Sequence, residues 1–276
     1  METNDTHNLL TGKKGIITGI LDKQSLAYYI AEQCYKEGAQ MVLTTTPLAN
    51  QLGEILPIAS SLHAITIPCD ITNTEHIQQL FSKAMQHFNG KIDFILHSVA
   101  LSNNLRRRKD YDNLNYDYFM RTLDTSAISL HKILQTAIHM DAIAEWGSVV
   151  SLSYVAADRP VCYYADMGDA KALLQSITRS FGLFYGEKKH VRINTISQSP
   201  TLTHSTQLFP NFHLMQQYTE SLSPIGNADT LSCAKLCVML FSDYTRYVTM
   251  QNIFNDGGFA NTTLTNKIIN STSLFS

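Results

Sequence analysis

Short apolar runs alternate along the chain with longer segments in which apolar residues recur every three or four positions. KGIITG at 14–19 and MVLTTT at 41–46 read as buried strands, whereas TEHIQQLFSKAMQHF at 74–88 reads as an amphipathic helix. The same patterns predict strands at 63–70, 91–100, 147–156, 191–200 and 248–258, and helices at 25–39, 115–140, 165–186 and 228–243. Apolar strands that alternate with helices are typical of parallel sheets covered on both faces. The predicted fold class is α/β, a Rossmann-type doubly wound parallel sheet in a single domain.

No linker, repeat or low-complexity tract divides this series, and the predicted domain covers residues 9–260. Residues 1–8 are predicted to form a flexible N-terminus, and residues 261–276 a polar C-terminal tail. The formal net charge of −2 argues against nucleic-acid binding, which usually needs a basic excess. No signal-peptide pattern and no apolar run near the roughly 20 residues of a membrane span are present. A cytoplasmic protein without stable membrane insertion is expected.

The chain contains five cysteines, an odd number that together with the missing signal peptide favours reduced thiols. Cys233 and Cys237 are spaced to share a helix face. No nearby histidine or further cysteine completes a zinc set, so buried apolar roles are favoured for both and no metal site is predicted.

Small and polar residues follow several predicted strands, at the edge where doubly wound sheets bind ligands. TGILDKQSLA at 18–27 has a single glycine, Gly19, and places Ser25 at a helix start, where an anion can bind. It does not match G-x-G-x-x-G, and an ordinary turn with a serine cap explains it about as well. Asp70 ends the third strand, and Ser98 and Val99 follow the fourth. Taken in order, these strand ends favour a dinucleotide groove.

With these motifs the chain resembles the NAD(P)-dependent enoyl-[acyl-carrier-protein] reductases of bacterial fatty-acid synthesis, within the short-chain dehydrogenase/reductase superfamily. The resemblance runs from about Leu9 to Phe259 and rests on Gly19, five residues and then SLA, and on CDI, HSVA, SLSY, RINTIS and DGG at the family's intervals. It implies that the cofactor is bound by Gly19, Ser25, Leu26, Thr46, Asp70, Ile71, Ser98, Val99, Lys171, Thr201, Leu202, Thr203, His204 and Ser205. The TTTP sequence after the second strand offers neither an acid for a ribose 2′-hydroxyl nor a cation for a 2′-phosphate, so NADH is favoured over NADPH.

The stretch YYADMGDAK at 163–171 is predicted to begin a helix. Tyr164 and Lys171 are seven positions apart and would then share one helix face. Such a pair also occurs by chance, and a tyrosine side chain usually serves only to pack against its neighbours. Met167 stands where the superfamily's ordinary Tyr-x3-Lys pattern needs a tyrosine. The resemblance implies the enoyl reductase pattern instead, Tyr-x6-Lys with a second tyrosine ten residues earlier, and so makes Tyr154, Tyr164 and Lys171 catalytic.

The longer spacing has a chemical reason in this interpretation. In an enoyl thioester, hydride adds to the β-carbon while negative charge develops on the more distant thioester oxygen. A tyrosine moved by three helical positions shifts by roughly 4–5 Å, which suits that oxygen. Tyr164 is expected to stabilise the enolate. Lys171 is expected to hold the cofactor ribose, and Tyr154 to line the acyl pocket or assist proton delivery.

The substrate side is predicted from two further segments. The segment at 101–119 would form one lip of the acyl site, and Ser102, Tyr154 and Tyr164 would contact the substrate. The cationic run at 106–109 either steers the acidic acyl carrier protein or is a solvated loop. The segment at 204–222 either closes over the acyl chain or packs as a surface helix. The resemblance also implies a homotetramer joined near NDGGF at 255–259.

The sequence therefore predicts NADH-dependent reduction of the trans-2 double bond of enoyl-[acyl-carrier-protein] to acyl-[acyl-carrier-protein] in fatty-acid elongation. The carrier protein with its enoyl group is the expected partner. Two alternatives remain at this point, a related enzyme that acts on a ketone or alcohol and a non-catalytic dinucleotide-binding regulator. Gln198 begins QSP where many family members have Ala-Gly-Pro. His97 lies at a strand end, and a structural role is favoured for it over that of a general base.

Overall fold

Seven parallel strands form one sheet in the computed structural model, which describes residues 6–207, 209 and 211–271. The strands are β1 (Lys14–Thr18), β2 (Gln40–Thr44), β3 (Ile65–Thr66), β4 (Ile92–His97), β5 (Ile143–Ser153), β6 (Arg192–Gln198) and β7 (Asn252–Asn255). Their order across the sheet is β3-β2-β1-β4-β5-β6-β7. This confirms the predicted fold class, a single α/β domain with a doubly wound parallel sheet. Residues 1–5 of the predicted N-terminus and 272–276 of the predicted tail lie outside the described residues.

Helices connect the strands and cover both faces of the sheet. They are α1 (Leu26–Lys36), α2 (Pro47–Gln51), α3 (Ile55–Ser61), α4 (Thr74–Phe88), α5 (Asn103–Arg106), α6 (Tyr116–Leu123), α7 (Ser129–His139), α8 (Met167–Lys189), α9 (His204–Gln207), α10 (Phe212–Leu222), α11 (Thr230–Phe241) and α12 (Asn266–Ser271). A π-helical segment, Asp124–Ile128, joins α6 to α7, so the helix predicted at 115–140 is one helical run with a wider turn inside it. None of the described helices is long and apolar enough to cross a bilayer.

Two apolar layers hold these helices on the sheet. The first buries side chains of α4, α7 and α8, among them Phe81, Ile133 and Leu174. The second buries side chains of α1, α3 and α11. Cys233 and Cys237 lie fully buried in this second layer, as predicted. Because both faces of the sheet are covered, the strands are apolar on both sides, which explains their continuous apolar runs.

Several predicted boundaries differ from those observed. The strand predicted at 63–70 shrinks to β3, in part because Pro68 has no N–H for the ladder. Strand β5 begins at Ile143 rather than 147, since an irregular register against β4 between Ile92 and Phe94 takes up the extra residues. Helices α2 and α3 were not predicted at all. They are five and seven residues long, too short for a helical repeat of apolar positions to show.

The order of the strands creates a crevice between β1 and β4. The chain runs outward from β1 through β2 to β3, then crosses back and continues from β4 in the opposite direction. The loops that follow β1 and β4 therefore leave their shared edge in opposite directions. In doubly wound sheets, ligands bind at such a switch point, outside the carboxyl ends of the strands.

Candidate active site

The turn after β1 passes directly against the end of β4. Gly19 has φ +86°, and a Cβ placed on it would lie 1.9 Å from the carbonyl oxygen of Ser98. Only glycine fits this contact. The Ser98 amide in turn donates to the Thr18 hydroxyl at 3.1 Å. The ends of β1 and β4 are thus held together by a close backbone approach and one hydrogen bond to the Thr18 side chain, and they form the floor of the crevice.

The start of α1 presents backbone N–H groups beside this floor. The Ser25 hydroxyl donates to the carbonyl oxygen of Asp22 at 2.7 Å and makes no capping bond to α1. The first turn of α1 also contains no acidic residue. A helix N-terminus of this kind carries a partial positive charge that suits a phosphate group.

One end of the crevice is a polar cavity at the ends of β2, β3 and β4. Thr44 and Thr45 line it, and their buried hydroxyls have no hydrogen-bond partner among the described residues. Asp70 also lines it and accepts hydrogen bonds from the Thr72 amide and hydroxyl at 2.9 and 2.7 Å. Thr46 lines the same cavity while its side chain caps α2 through the Ala49 amide. Buried hydroxyls without partners fit a ligand rich in polar atoms, such as the adenosine half of a dinucleotide.

The other end of the crevice is more apolar and contains the predicted catalytic residues. Both ends share the floor of the crevice, which includes Gly19, Ser98 and Val99, so they form one groove. The predicted residues that line this groove are Gly19, Ser25, Leu26, Thr46, Asp70, Ile71, Ser98, Val99, Ser102, Tyr154, Tyr164, Lys171, Thr201 and Thr203. Leu202 is 56% exposed and is not part of the lining. The side chains of His204 and Ser205 lie outside the described part of the chain.

Tyr154 and Tyr164 meet at the apolar end of the groove. Tyr154 follows β5 directly, and the two ring centroids are 5.1 Å apart. Burial raises the pKa of both phenols, and the charge of Asp256 adds to the effect at Tyr154. The Tyr154 hydroxyl is buried and has no hydrogen-bond partner among the described residues. Both side chains are therefore neutral hydrogen-bond donors at physiological pH.

Tyr164 does not lie on the helix that carries Lys171, and this corrects the sequence prediction. Helix α8 begins at Met167 because Tyr163 and Ala165 have φ values of +61° and +45°, outside the right-handed helical region. The two side chains line the same groove because this turn folds Tyr164 onto Tyr154. The spacing of seven residues is therefore not a distance along a helix, and the shift of roughly 4–5 Å inferred from helical rise does not apply.

Lys171 reaches the groove from the second turn of α8. Its Nζ donates to the carbonyl oxygen of Leu152 at 2.7 Å, and burial lowers the pKa of the ammonium to about 8. Nearby, the His97 ring nitrogens lie 2.8 Å from the Ser151 and Ser129 hydroxyls. Burial and the charge of Lys171 lower the His97 pKa to about 3. His97 is thus a neutral bridge between β4, β5 and α7, consistent with a structural role.

A buried polar network ties the segment at 101–115 to the start of α8. The Ser102 hydroxyl donates to the Asp166 carboxylate and accepts from the Leu105 amide, which caps α5. The Asn104 amide donates to the same carboxylate at 2.8 Å. The Asn115 amide donates to the Asn104 side chain at 3.0 Å. The sequence prediction missed Asp166 and Asn104, because nothing local marks residues that meet across more than 60 positions.

The loop after β6 is fixed by side-chain contacts that sequence reasoning did not predict. The Gln198 amide donates to the carbonyl oxygen of Ala228 at 2.9 Å and accepts from the Asn255 side chain at 2.7 Å. The Thr206 hydroxyl donates to the Thr201 carbonyl at 2.8 Å and accepts from the Thr203 amide at 2.7 Å. The departure from Ala-Gly-Pro at Gln198 is therefore an anchor between β6, β7 and the start of α11.

Comparisons with known proteins agree with this geometry. A family model described as Enoyl-(Acyl carrier protein) reductase matches residues 19–260. An enoyl-[acyl-carrier-protein] reductase [NADH] FabI from Aquifex aeolicus is 31% identical over 254 residues, 91% of this chain and 92% of that protein. A protein of the same name from Rickettsia bellii is 31% identical over 96% of this chain and 99% of its own. The crystal structure of a FabI–NADH complex from Alistipes finegoldii is similar with a TM-score of 0.94 and 48% identity, covering 98% of this chain and 94% of that one.

Proposed function

The chain belongs to the enoyl-[acyl-carrier-protein] reductase family, and we propose that Tyr154, Tyr164 and Lys171 carry out the family's reaction at the apolar end of the groove. The reaction is the NADH-dependent reduction of the trans-2 double bond of enoyl-[acyl-carrier-protein] to acyl-[acyl-carrier-protein], a step of fatty-acid elongation. The acyl carrier protein with its enoyl group is accordingly the proposed substrate-bearing partner.

The residues of the groove fit a dinucleotide. The unpartnered Thr44 and Thr45 hydroxyls would meet its adenosine half, and the backbone at Gly19 with the start of α1 would hold its diphosphate. Lys171 would hold the ribose near the reacting end. When bound, NADH supplies the hydride that adds to the substrate's β-carbon.

Tyr164 stabilises the charge that the reaction places on the thioester oxygen. Its raised pKa keeps the phenol protonated, so it donates a hydrogen bond to the oxygen as the enolate forms. Burial strengthens this bond because water does not compete with it. Lys171 keeps the surroundings of the phenol positive. Tyr154 lines the acyl pocket, and its unpartnered hydroxyl is available to assist protonation of the α-carbon.

The convergence of the two phenols and the lysine in one groove carries this proposal. Reduction of a ketone in the superfamily's ordinary way would need a tyrosine at position 167. Met167 is buried there against Tyr154 and Tyr164 and has no proton to give. The test follows nicotinamide absorbance with a crotonyl thioester and NADH, beside NADPH and a ketoacyl thioester. Oxidation of NADH by the enoyl substrate alone is expected. Turnover of the ketone, or cofactor binding without any turnover, would contradict it.

The quaternary state and location of the protein are also part of the proposal. Large apolar side chains are exposed on α8 and β7, among them Leu183, Phe184 and Phe254, and contacts between copies in a homotetramer would cover them. Light scattering coupled to size-exclusion chromatography is expected to give four times the chain mass. We place the protein in the cytoplasm, where its carrier-bound substrate is made, and fractionation of cells tests this.

A further inference from the structure

Cationic side chains stand at the mouth of the substrate end of the groove. Arg106, Arg107 and Arg108 are exposed, and Lys109 is half-buried. Arg106 also lines the groove itself, where it faces the same cavity as Phe212 and Met215 of α10. Asp110 and Asp112 follow along the chain, so the positive charge is confined to this short stretch.

These arginines are not used within the fold. Among the described residues, none of the three guanidinium groups forms an ion pair or a hydrogen bond. Arg107 lies 5.1 Å from the centroid of the Tyr118 ring, which limits its motion without neutralising its charge. Three consecutive positive charges repel one another, so a structural role does not account for the run of arginines.

Arg108 occupies a backbone position that favours glycine. The Arg108 amide donates to the Leu105 carbonyl and the Lys109 amide to the Asn104 carbonyl, both at 3.0 Å, which is the Schellman ending of a helix. Arg108 therefore has φ +54°, a left-handed conformation that is costly for any residue with a Cβ. A glycine would adopt this conformation without strain, whereas Arg108 adds a third cationic side chain to the exposed stretch.

The run of three arginines is also held in place relative to the reacting groups. Ser102 and Asn104, at the start of α5, bind the buried Asp166 carboxylate two residues beyond Tyr164. The opposite lip, α10, has the sequence FHLMQQYTESL and contains no lysine or arginine. The two lips thus differ: one is cationic and tied to Asp166, whereas the other contains neither lysine nor arginine and has one acidic side chain, Glu220.

We propose that the acyl carrier protein docks through acidic side chains on Arg106, Arg107 and Arg108, while α10 contacts only the acyl chain. This inference rests on the proposed function. A carrier docked here would have its thioester arm beside Arg106, which already lines the groove that leads to Tyr164. Complementary charge at the rim would raise the rate of encounter and would weaken with salt.

The test compares a carrier-bound substrate with a small uncharged one. For the R107E/R108E variant we expect KM for crotonyl-[acyl-carrier-protein] to rise about tenfold or more at low salt, and the difference to shrink in 0.5 M NaCl. Neither residue lines the groove, so kinetics with crotonyl N-acetylcysteamine should be unchanged. Lys83→Glu on α4 makes the same kind of charge change at a remote exposed site and should leave both substrates unaffected.

Arg108→Gly separates docking from folding. It removes the charge and relieves the left-handed backbone, so the melting temperature should rise while KM for the carrier substrate also rises. Unchanged carrier kinetics in both variants would overturn the proposal, as would an equal loss with both substrates. If wild-type protein reduced neither thioester, the proposed function itself would fail, and the docking surface would fail with it.

Discussion

The ammonium of Lys171 is buried and donates to the carbonyl oxygen of Leu152 at 2.7 Å, so α8 is bonded to the end of β5 in the groove that Tyr154 and Tyr164 also line. A cation in this position faces a groove instead of a carboxylate. Because burial disfavours the charged form, its pKa is lowered to about 8. The side chain therefore changes charge within a range of pH where the protein can be assayed.

Affinity for NADH is predicted to depend on this titration. Below pH 8 the ammonium is charged and should bind the ribose hydroxyls strongly. As pH rises through about 8 the charge is lost, and the dissociation constant for NADH should increase. Lys171→Met should weaken NADH binding by about tenfold or more at pH 7, since hydrogen bonds to charged groups contribute roughly 1.5–3 kcal/mol. Fluorescence titration of NADH between pH 6.5 and 9.5 measures both effects.

The variant also supplies the control for the pH profile. Because Lys171→Met lacks the ammonium, its affinity for NADH should not change as the pH rises through 8. Lys83→Met on the surface of α4 should keep the wild-type profile. A variant that retained the wild-type slope would assign the titration to another group and would remove Lys171 from the cofactor site.

A second prediction concerns the close approach of Gly19 to Ser98. Gly19→Ala places a Cβ 1.9 Å from a backbone oxygen and also strains the backbone at φ +86°. Gly53→Ala is a matched control, since Gly53 has φ +83° but nothing within 4 Å of its Cβ position. The control should lower the free energy of unfolding by about 1 kcal/mol from backbone strain alone. Gly19→Ala should cost clearly more and should abolish tight NADH binding.

Thermal melts and NADH titration of the two alanine variants decide between strain and contact. Equal losses of stability would mean that the turn after β1 moves away from Ser98 at little cost. In that case the floor of the groove would be more adaptable than the backbone contact implies, and Gly19 would matter only for its dihedral angle.

Tyr154 and Tyr164, the two proposed catalytic residues with a phenol, are predicted to respond differently to removal of the hydroxyl. Tyr164→Phe should lower kcat by about 100-fold with little change in KM, as expected for a donor whose bond strengthens in the transition state. Tyr154→Phe removes a buried hydroxyl that has no partner among the described residues, so the protein should become more stable by about 1 kcal/mol. A stabilised Tyr154→Phe with reduced turnover would show that this hydroxyl serves the reaction. Unchanged turnover would show that Tyr154 has a packing role only.

The fold was predictable because strand and helix periodicities are local. Apolar runs such as the one in β1 and the helical repeat of α4 depend on neighbours along the chain, and both were located to within one residue. The predicted start of α8 was wrong for a physical reason. Tyr163 and Ala165 take left-handed conformations although neither is a glycine. The sequence therefore predicted a helix that includes Tyr164.

From residue patterns alone, part of the site was predictable because it coincides with strand ends. Gly19, Asp70 and Ser98 follow strands, and the order of strands in a doubly wound sheet brings such positions together. The contacts that hold the site have no such signal. Ser102 meets Asp166 across 64 positions, and Gln198 meets Asn255 across 57. Their side chains are ordinary polar residues in the sequence, and only the folded chain shows what each one binds.

The buried carboxylate of Asp166 gives the last prediction, because it joins the substrate lip to the turn that carries Tyr164. Asp166→Leu would leave the Ser102 hydroxyl and the Asn104 amide without their acceptor and should destabilise the fold by about 3 kcal/mol. Asp166→Asn should recover part of this, since its amide oxygen still accepts one bond and the serine hydroxyl can accept from its NH2. Both variants should raise KM for the thioester more than they lower kcat, because the lip shifts while Tyr164 keeps its own packing against Tyr154.

Chemical denaturation and steady-state kinetics measure the two effects, with the exposed Asp112→Asn on the same lip as control. Wild-type stability and KM in Asp166→Leu would show that the lip is positioned without this network.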